Sequence, residues 1–242
     1  MNVSPHTVVI LQARMGSSRL PGKVLMDLGG KTVLEHCLER AARIPSADIV
    51  CLATSELERD DPIIEALQRM PDVVPYRGSE HDVLSRYYGA ASATGADIVM
   101  RLTCDCPLID PAICEAVLQL QRTTGAPYAS NTSPRGWPHG LDCEVFTFDA
   151  LKDAASRAVD AYDREHVTPW IKRLAGERSA HLKGPGGFAT EQRWTLDYPE
   201  DIEFLRALYD AAGPGALGDW RTILDVVSDR PDIAAINRVH AG

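Results

Sequence analysis

Long apolar runs, an excess of basic residues and paired cysteines are all missing from this chain of 242 residues, and each absence closes a class of function. No stretch approaches the roughly 18 apolar residues of a membrane-crossing helix. Lysine and arginine number 25 against 34 aspartates and glutamates, a formal net charge of −9, so nucleic acid, which attracts basic faces, is not an expected partner. Anionic ligands must then be met by local cations. The opening residues MNVSPH carry neither the basic start nor the apolar core of a secretory signal, and a cytoplasmic address is expected by default. Internal repeats, low-complexity tracts and Ser/Gly linkers are missing too, which argues for one domain over 1–242.

The six cysteines stand at 37, 51, 104, 106, 114 and 143 in apolar contexts, without the paired spacing of a zinc site. Reduced core thiols are the expectation. Cys104 and Cys106 flank Asp105, and a Cys-x-Cys could bind a soft metal, but no second pair or neighbouring His supports it. At 45% hydrophobic and 24% charged, the chain has the composition of a globular protein with a sizeable core.

What is present is an alternation of strand and helix. Val8, Val9, Ile10 and Leu11 form the unbroken, largely β-branched run of a strand covered on both faces. Apolar spacing predicts a helix over 32–43, a strand over 48–53, a helix over 61–70 capped by Asp61 before Pro62, and a short strand over 72–76. A helix over 81–94 closed by Gly95, a strand from Asp97 to Leu102 and a helix over 111–122 follow. Further on, the pattern predicts a strand near 142–148, helices near 149–158 and 163–174, a strand-like RWTLD, and a helix from Pro199 with two short helical stretches after it. The order predicts an α/β fold, a mostly parallel sheet with helices on both faces, whose ligands collect beyond the carboxyl ends of the strands.

Two features fall at those ends. The turn after the first strand, LQARMGSSRLPGK, places Arg14, Arg19 and Lys23 among Gly16, Ser17, Ser18 and Gly22, a combination suited to a polyphosphate: backbone N–H groups can converge where glycine leaves room, and cations offset the charge. An ordinary basic surface turn would read the same way. Asp105 ends the strand at 97–102, and since Asp110 before Pro111 is the natural helix cap, Asp105 is left over for other work. Asp197 is left over likewise, because Glu200 and Asp201 can complement the helix that starts at Pro199. Two spare carboxylates at strand ends suit a hard cation such as Mg²⁺, bound with substrate phosphates.

These residues carry a resemblance. LQARMGSSRLPGKVL closely resembles the nucleotide loop of the cytidylyltransferases that activate sugar acids such as 3-deoxy-manno-octulosonate and the sialic acids, most nearly the branch of spore-coat polysaccharide synthesis. It continues through RGSEHDVLSRYY at 77–88, LTCDCPLIDP at 102–111, SNTSPRGWPHGLDCEVF at 130–146, REHVTPWI at 164–171 and LDYPEDIEFLR at 196–206, in the family's order. The resemblance implies a three-layer α/β/α Rossmann-like nucleotidyltransferase (GT-A-like) fold with a mixed, mostly parallel sheet, residues 1–125 forming the nucleotide half and 126–242 the acceptor half.

It also implies roles. Arg14 and Lys23 would bind the triphosphate of CTP and, with Asp105, form the catalytic set. Leu11, Ala13, Gly16, Ser17, Ser18 and Arg19, with Arg77, Ser79, Asp82 and Arg86, would complete the nucleotide site. Asp105 and Asp197 match the Mg²⁺ carboxylates, and Asn131, Arg135, Asp142, Glu144 and His166 would line the acceptor side, with the Ser130–Gly140 loop, including Trp137 and His139, choosing the acceptor. His166 reads either as a proton acceptor or as a structural residue, and Glu144 either as a ligand of acceptor hydroxyls or as part of an exposed strand face. The implied reaction is transfer of CMP from CTP to a small acceptor, a sugar acid or a phosphonate, with loss of pyrophosphate, by a homodimer. The same fold type serves nucleotide-sugar glycosyltransferases, but their Asp-x-Asp motif is absent at 105–107. An inactive nucleotide-binding domain is the remaining alternative, disfavoured by retention of the basic and acidic residues together.

Overall fold

A computed structural model describes residues 5–213 and 217–240, so the first four residues of the MNVSPH start lie outside it. β1 (Thr7–Gln12) lies inside the sheet between β4 (Ile49–Ser55) and β6 (Ile98–Thr103), parallel to both, and β5 (Val73–Gly78) extends the parallel set beyond β4. A small hairpin, β2 (Asp27–Leu28) with β3 (Lys31–Thr32), stands apart. β7 (Tyr128–Ser130), β8 (Glu144–Thr147) and β9 (Ala180–His181) complete the main sheet in the order β5-β4-β1-β6-β8-β7-β9, with β8 antiparallel to β6 and to β7. The fold is α/β, with a mixed, mostly parallel seven-stranded sheet to which both halves of the chain contribute.

Side-chain alternation along β1 builds two cores. Val9 and Leu11 join the cluster beneath α1 (Val33–Ala41), α4 (Pro111–Thr124), α8 (Pro199–Ala212) and α9 (Trp220–Asp229), while Val8 and Ile10 join the one beneath α3 (Val83–Ala93), α5 (Phe148–Arg157) and α7 (Pro169–Ala175). Each fully buried Val, Ile or Leu contributes about 1.5–3 kcal/mol, so a central strand with four such residues anchors both layers. Three remaining helices are short: α2 (Asp61–Ala66), α6 (Ala161–His166) and α10 (Pro231–Ala234). Among the described residues no helix is long and apolar enough to cross a membrane. All six cysteines are buried and unpaired.

Several expectations are corrected. The helix expected over 61–70 ends at Ala66 and tightens into a 3₁₀ turn, and Asp61 is its first helical residue rather than its cap. The helix expected over 163–174 is two helices, broken at Val167, which takes a left-handed φ of 69° before Pro169 starts the second. That conformation is costly for a β-branched residue, and it stands between His166, which lines a cavity over the turn after β1, and Thr168, which bonds a buried glutamate. RWTLD makes only one isolated bridge, Arg193 to His139, because its backbone divides its hydrogen bonds between the 139 loop and Asp105. The strand expected from 142 begins at Glu144, and β7, β9 and the hairpin, each of two or three residues, gave no periodic signal.

Asp110 does cap α4: its Oδ1 accepts from the N–H groups of Ala112 (2.8 Å) and Ile113 (3.1 Å), while Oδ2 accepts from the N–H of Trp220 at 2.9 Å. Because that carboxylate serves two helix starts and is buried, Asp110→Ala is expected to cost about 2 kcal/mol in urea unfolding. Asp219→Ala, which removes the exposed cap of α9, should cost about 1 kcal/mol or less; equal losses would show that burial of the cap is irrelevant.

Candidate active site

The turn after β1 is held by a carboxylate that sequence reasoning missed. Asp60, fully buried, accepts from the Met15 N–H at 2.7 Å through Oδ1 and from the Ser55 hydroxyl through Oδ2, tying the turn to the end of β4. The Met15 carbonyl then accepts from the N–H groups of Ser17 (2.9 Å) and Gly22 (3.1 Å), so the turn closes on itself. Gly22 adopts a φ of 69°, which suits glycine and carries the chain into the 3₁₀ turn containing Lys23. Among the described residues the backbone N–H groups of Arg14, Gly16, Ser18 and Arg19 have no partner within the protein. Such a run of free donors is an anion-binding concavity.

Lys23 reaches from this turn into a carboxylate pair. Its ammonium donates to Asp105 Oδ2 (3.1 Å), Asp197 Oδ1 (2.9 Å) and the Leu196 carbonyl (2.7 Å), which uses all three of its protons. Arg19 also pairs with Asp197 Oδ1 at 2.9 Å, and Arg193 takes Oδ2 at 3.0 Å. Burial pushes the Asp105 and Asp197 carboxyls up, but Lys23, with the Thr103 hydroxyl on one and Arg19 and Arg193 on the other, outweighs it and holds both below their ordinary range. Both aspartates are therefore charged at neutral pH. The two spare carboxylates of the sequence do meet, across one cation.

The strap that delivers Asp197 is fixed at both ends. The Leu196 N–H donates to the Asp105 carbonyl at 2.7 Å, and Trp194 donates to the His139 carbonyl. Gly140 makes that crossing possible, since a Cβ there would lie 2.6 Å from the Trp194 carbonyl carbon.

Around this centre lie two chambers that share Arg101, Thr103, Asp105 and Asp197. The larger, about 320 Å³, runs over the turn and is lined by Ala13, Arg14, Ser17, Ser18, Arg19, Lys23, Arg86 and His166 among others. The smaller, about 160 Å³, has Asp142, Glu144, His139 and Thr195 in its wall. Arg135 lies beyond, bidentate on Asp142 at 3.1 and 3.3 Å and beside a cavity that also borders Arg193. Burial keeps the His139 imidazole below its ordinary pKa, and so neutral.

Other expected site residues do not reach a chamber. Leu11 is core, and the Cα of Gly16 lies under Arg59, so that Gly16 offers the turn only its unpartnered N–H. Arg77 is spent on Asp61 (2.6 Å) and on the Ser55 and Leu57 carbonyls; Asp82 caps α3 and pairs with Arg164; the Ser79 hydroxyl accepts from the Asp82 N–H. Asn131 is buried, donating to the Leu141 carbonyl and accepting from the Cys143 N–H. Glu144 is not on an exposed face. At 5% exposure it is bound by Arg101 (2.6 Å), Lys172 (2.8 Å), Tyr128 (2.7 Å) and Thr168 (3.0 Å). Sequence reasoning also passed over Gln12, Arg101 and Arg193. A charge inside the apolar run DIVMRL, opposite Glu144 in register, was the available signal for Arg101.

Comparison with known proteins gives a consistent answer. A family model described as Cytidylyltransferase matches residues 8–217. The spore coat polysaccharide biosynthesis protein SpsF of Bacillus subtilis is 34% identical over 232 residues, 93% of this chain and 95% of that protein. A 3-deoxy-manno-octulosonate cytidylyltransferase of Anaeromyxobacter dehalogenans is 38% identical over 115 residues, 47% of this chain and 46% of its own. The solved structure of a cytidylyltransferase from Leptospira borgpetersenii superposes with a TM-score of 0.88 at 30% identity, covering 95% of this chain and 97% of that one. These are the relatives that the motif blocks of the sequence resemble.

The Glu144 cluster makes a pH-dependent contribution to stability. Burial pushes its carboxyl up, but Arg101, Lys172 and Tyr128 pull it down to about 2, from an ordinary 4.5. A carboxyl held low in the folded state stabilises above its unfolded pKa and loses that contribution as pH falls through the folded value. Glu144→Gln is therefore expected to cost ~3 kcal/mol at pH 7, with the gap from the parent narrowing from about pH 4.5 downward. Urea unfolding of both proteins across pH 7 to 3 measures it; a gap independent of pH would refute the assignment.

Proposed function

The chain belongs to the cytidylyltransferase family and is a nucleotidyltransferase, and from that premise we propose that it transfers CMP from CTP, with Mg²⁺, to a hydroxyl of a small sugar acid, releasing pyrophosphate. The observation that carries the reading is the convergence of the donor-rich turn and the Asp105–Asp197 pair on one chamber. The names of relatives in polysaccharide and octulosonate chemistry support a sugar acid as acceptor.

The donor set fits the metal. Two charged carboxylates converge on a single cationic point, taken by the Lys23 ammonium, and a hard divalent ion asks for one or two carboxylates plus substrate phosphates. Asp105 and Asp197 would hold it, and when bound it supplies charge neutralisation at the phosphate oxygens. Among the described residues no group of three or more Cys, His, Asp or Glu side chains could hold a metal unaided, which fits binding shared with the nucleotide.

The remaining work falls to the chain. The free N–H groups of the turn and the Arg14 side chain hold the β- and γ-phosphates, so that pyrophosphate is bound as it leaves. The acceptor hydroxyl approaches the α-phosphorus in line; its oxygen forms the new bond while the bond to the bridging oxygen of pyrophosphate breaks. His166 lines the larger chamber and neutral His139 the smaller one, so each is placed to receive the hydroxyl proton. Residues 1–125 then supply the nucleotide cradle and 126–242 the acceptor wall, while the carboxylate pair takes one member from each half. A homodimer is the assembly expected from the resemblance and the cytoplasm the location expected by default, and sedimentation tests the first.

Incubation with each nucleoside triphosphate, Mg²⁺ and a panel of sugar acids, sugar phosphates and phosphonates should release pyrophosphate with CTP and a sugar acid. Preference for UTP or dTTP would overturn the cytidylyl assignment. Arg14→Met is expected to lower turnover by about 100-fold, and Asp105→Ala at least as much; unchanged turnover in Asp105→Ala would remove the metal assignment.

A further inference from the structure

Asp197 stands in the wall of three cavities at once: the two chambers, and an open one of about 500 Å³ whose wall also holds Arg19, Tyr198 and His240. With open space on so many sides, its carboxylate is posed by ion pairs rather than by packing. Lys23 and Arg19 share Oδ1, and Arg193 takes Oδ2. Lys23 is anchored in turn by Asp105, but the two arginines are anchored from elsewhere. Both lead to residues 237–240, which lie outside the family match of 8–217 and outside every motif block of the sequence. Arg193 is held by Asp201, a fully buried carboxylate that accepts from its Nε (2.9 Å) and Nη2 (3.0 Å) and from the N–H groups of Asp197 (2.8 Å) and Tyr198 (3.0 Å). Buried Asn237 completes the pair, its amide donating to Asp201 Oδ1 and to the Arg193 carbonyl, each at 2.9 Å. Arg19 is held differently. Its guanidinium carbon lies 4.9 Å from the centre of the Tyr198 ring, and His240 stacks on that ring at 3.8 Å and 6°, with Nε2 3.0 Å from Glu200.

A carboxylate that binds a metal is oriented by the groups behind it, and those groups shape the affinity nearly as much as the ligand itself. We propose that Asn237 and His240 are positioning residues for Asp197, a brace that holds Arg193 and Arg19 where they fix its carboxylate and that thereby sets the affinity for Mg²⁺ with the nucleotide. The brace has one arm for each oxygen. Asn237 acts through Asp201 and Arg193 on Oδ2, while His240 acts through Tyr198 and Arg19 on Oδ1. Asp105 takes its hydrogen bonds from Lys23, Thr103 and Cys106, and the backbone donors of the phosphate turn are tied to Asp60. The brace therefore bears on the metal end of the site and leaves those donors in place.

This inference rests on the Mg²⁺ reading, and binding with and without metal separates the two. Calorimetric titration of the parent protein with CTP should be tighter in Mg²⁺ than in EDTA; equal binding would overturn the metal reading itself. His240→Ala should weaken CTP in Mg²⁺ by about 10-fold and raise the Mg²⁺ concentration for half-maximal turnover by a similar factor. Tripolyphosphate in EDTA, which needs only the turn, should change less than about threefold. His240→Phe keeps an aromatic ring on Tyr198 and should stay within about threefold of the parent in Mg²⁺; a loss as large as that of His240→Ala would overturn the Arg19 arm. Asn237→Leu, close in volume but without the two donors, should weaken CTP in Mg²⁺ by about 10- to 100-fold, again with tripolyphosphate in EDTA nearly unmoved. His240→Ala, which removes only a half-buried side chain, decides the matter where Asn237→Leu does not fold. Binding of CTP in Mg²⁺ at the parent's strength in these variants would overturn the proposal. So would equal losses with and without metal, the mark of a generally loosened site.

Discussion

Two carboxylates held against the same atom repel each other, and the structure depends on the cation that lets them stay. Asp105 and Asp197 both lie within hydrogen-bonding distance of Lys23 Nζ, drawn there from positions 82 and 174 residues further along the chain. Without that ammonium, one aspartate would gain a proton or swing away. The backbone is committed to the arrangement as well. The Leu196 carbonyl takes the third ammonium proton and the Leu196 N–H donates to the Asp105 carbonyl, so the strap bearing Asp197 is fastened to Lys23 on one side of Leu196 and to the end of β6 on the other. The parallel neighbours β1 and β6 supply the rest, because a turn and an aspartate that leave adjacent strands emerge at the same sheet edge.

Charge around this centre is mostly paired. Glu144 is buried but quadruply bound, Asp142 holds Arg135, and Arg193 braces Asp197 and Asp201. In a chain of net charge −9, cations concentrated on one chamber are what an anionic ligand requires, and pairing most of them limits the cost of holding them together. Arg14 and Arg86 stand outside the pairing. Arg14 is exposed, while Arg86 is buried, and the same lack of a partner therefore means different things. An exposed unpaired arginine costs little; a buried one is tolerated where a ligand completes it.

What was legible in the sequence was local. Val8–Leu11 announced a strand covered on both faces because both of its faces are core, and Asp110 announced a cap because proline follows it. Asp105 and Asp197 were found by elimination, which needs only the neighbouring helix starts. Their meeting was not readable, since nothing local encodes a contact between a strand end and a strap 92 residues later. The same limit explains the errors. DCEVF alternates like a half-exposed strand, but β8 is packed by α4 and α5, and Lys172 of α7 reaches Glu144. Arg77 and Asp82 lie in a block that resembles a nucleotide loop, yet Arg77 is taken by Asp61 and the Ser55 and Leu57 carbonyls, and Asp82 by the start of α3 and by α6. The hidden break at Val167 depends on tertiary burial, which no spacing of apolar residues reports.

The loop that the sequence marked as choosing the acceptor is joined mechanically to the carboxylate pair. His139 donates its N–H to the Gln192 carbonyl, its own carbonyl receives Trp194, and its imidazole meets Arg193, which in turn holds Asp197. Gly140 lets the two backbones approach closer than any side chain permits. Displacement at His139 or Gly140 would therefore be transmitted through Arg193 to Asp197. The turn after β1 is tied instead to Asp60. The two segments are linked through Asp197, which pairs with Arg193 on one side and with Lys23 and Arg19 of the turn on the other.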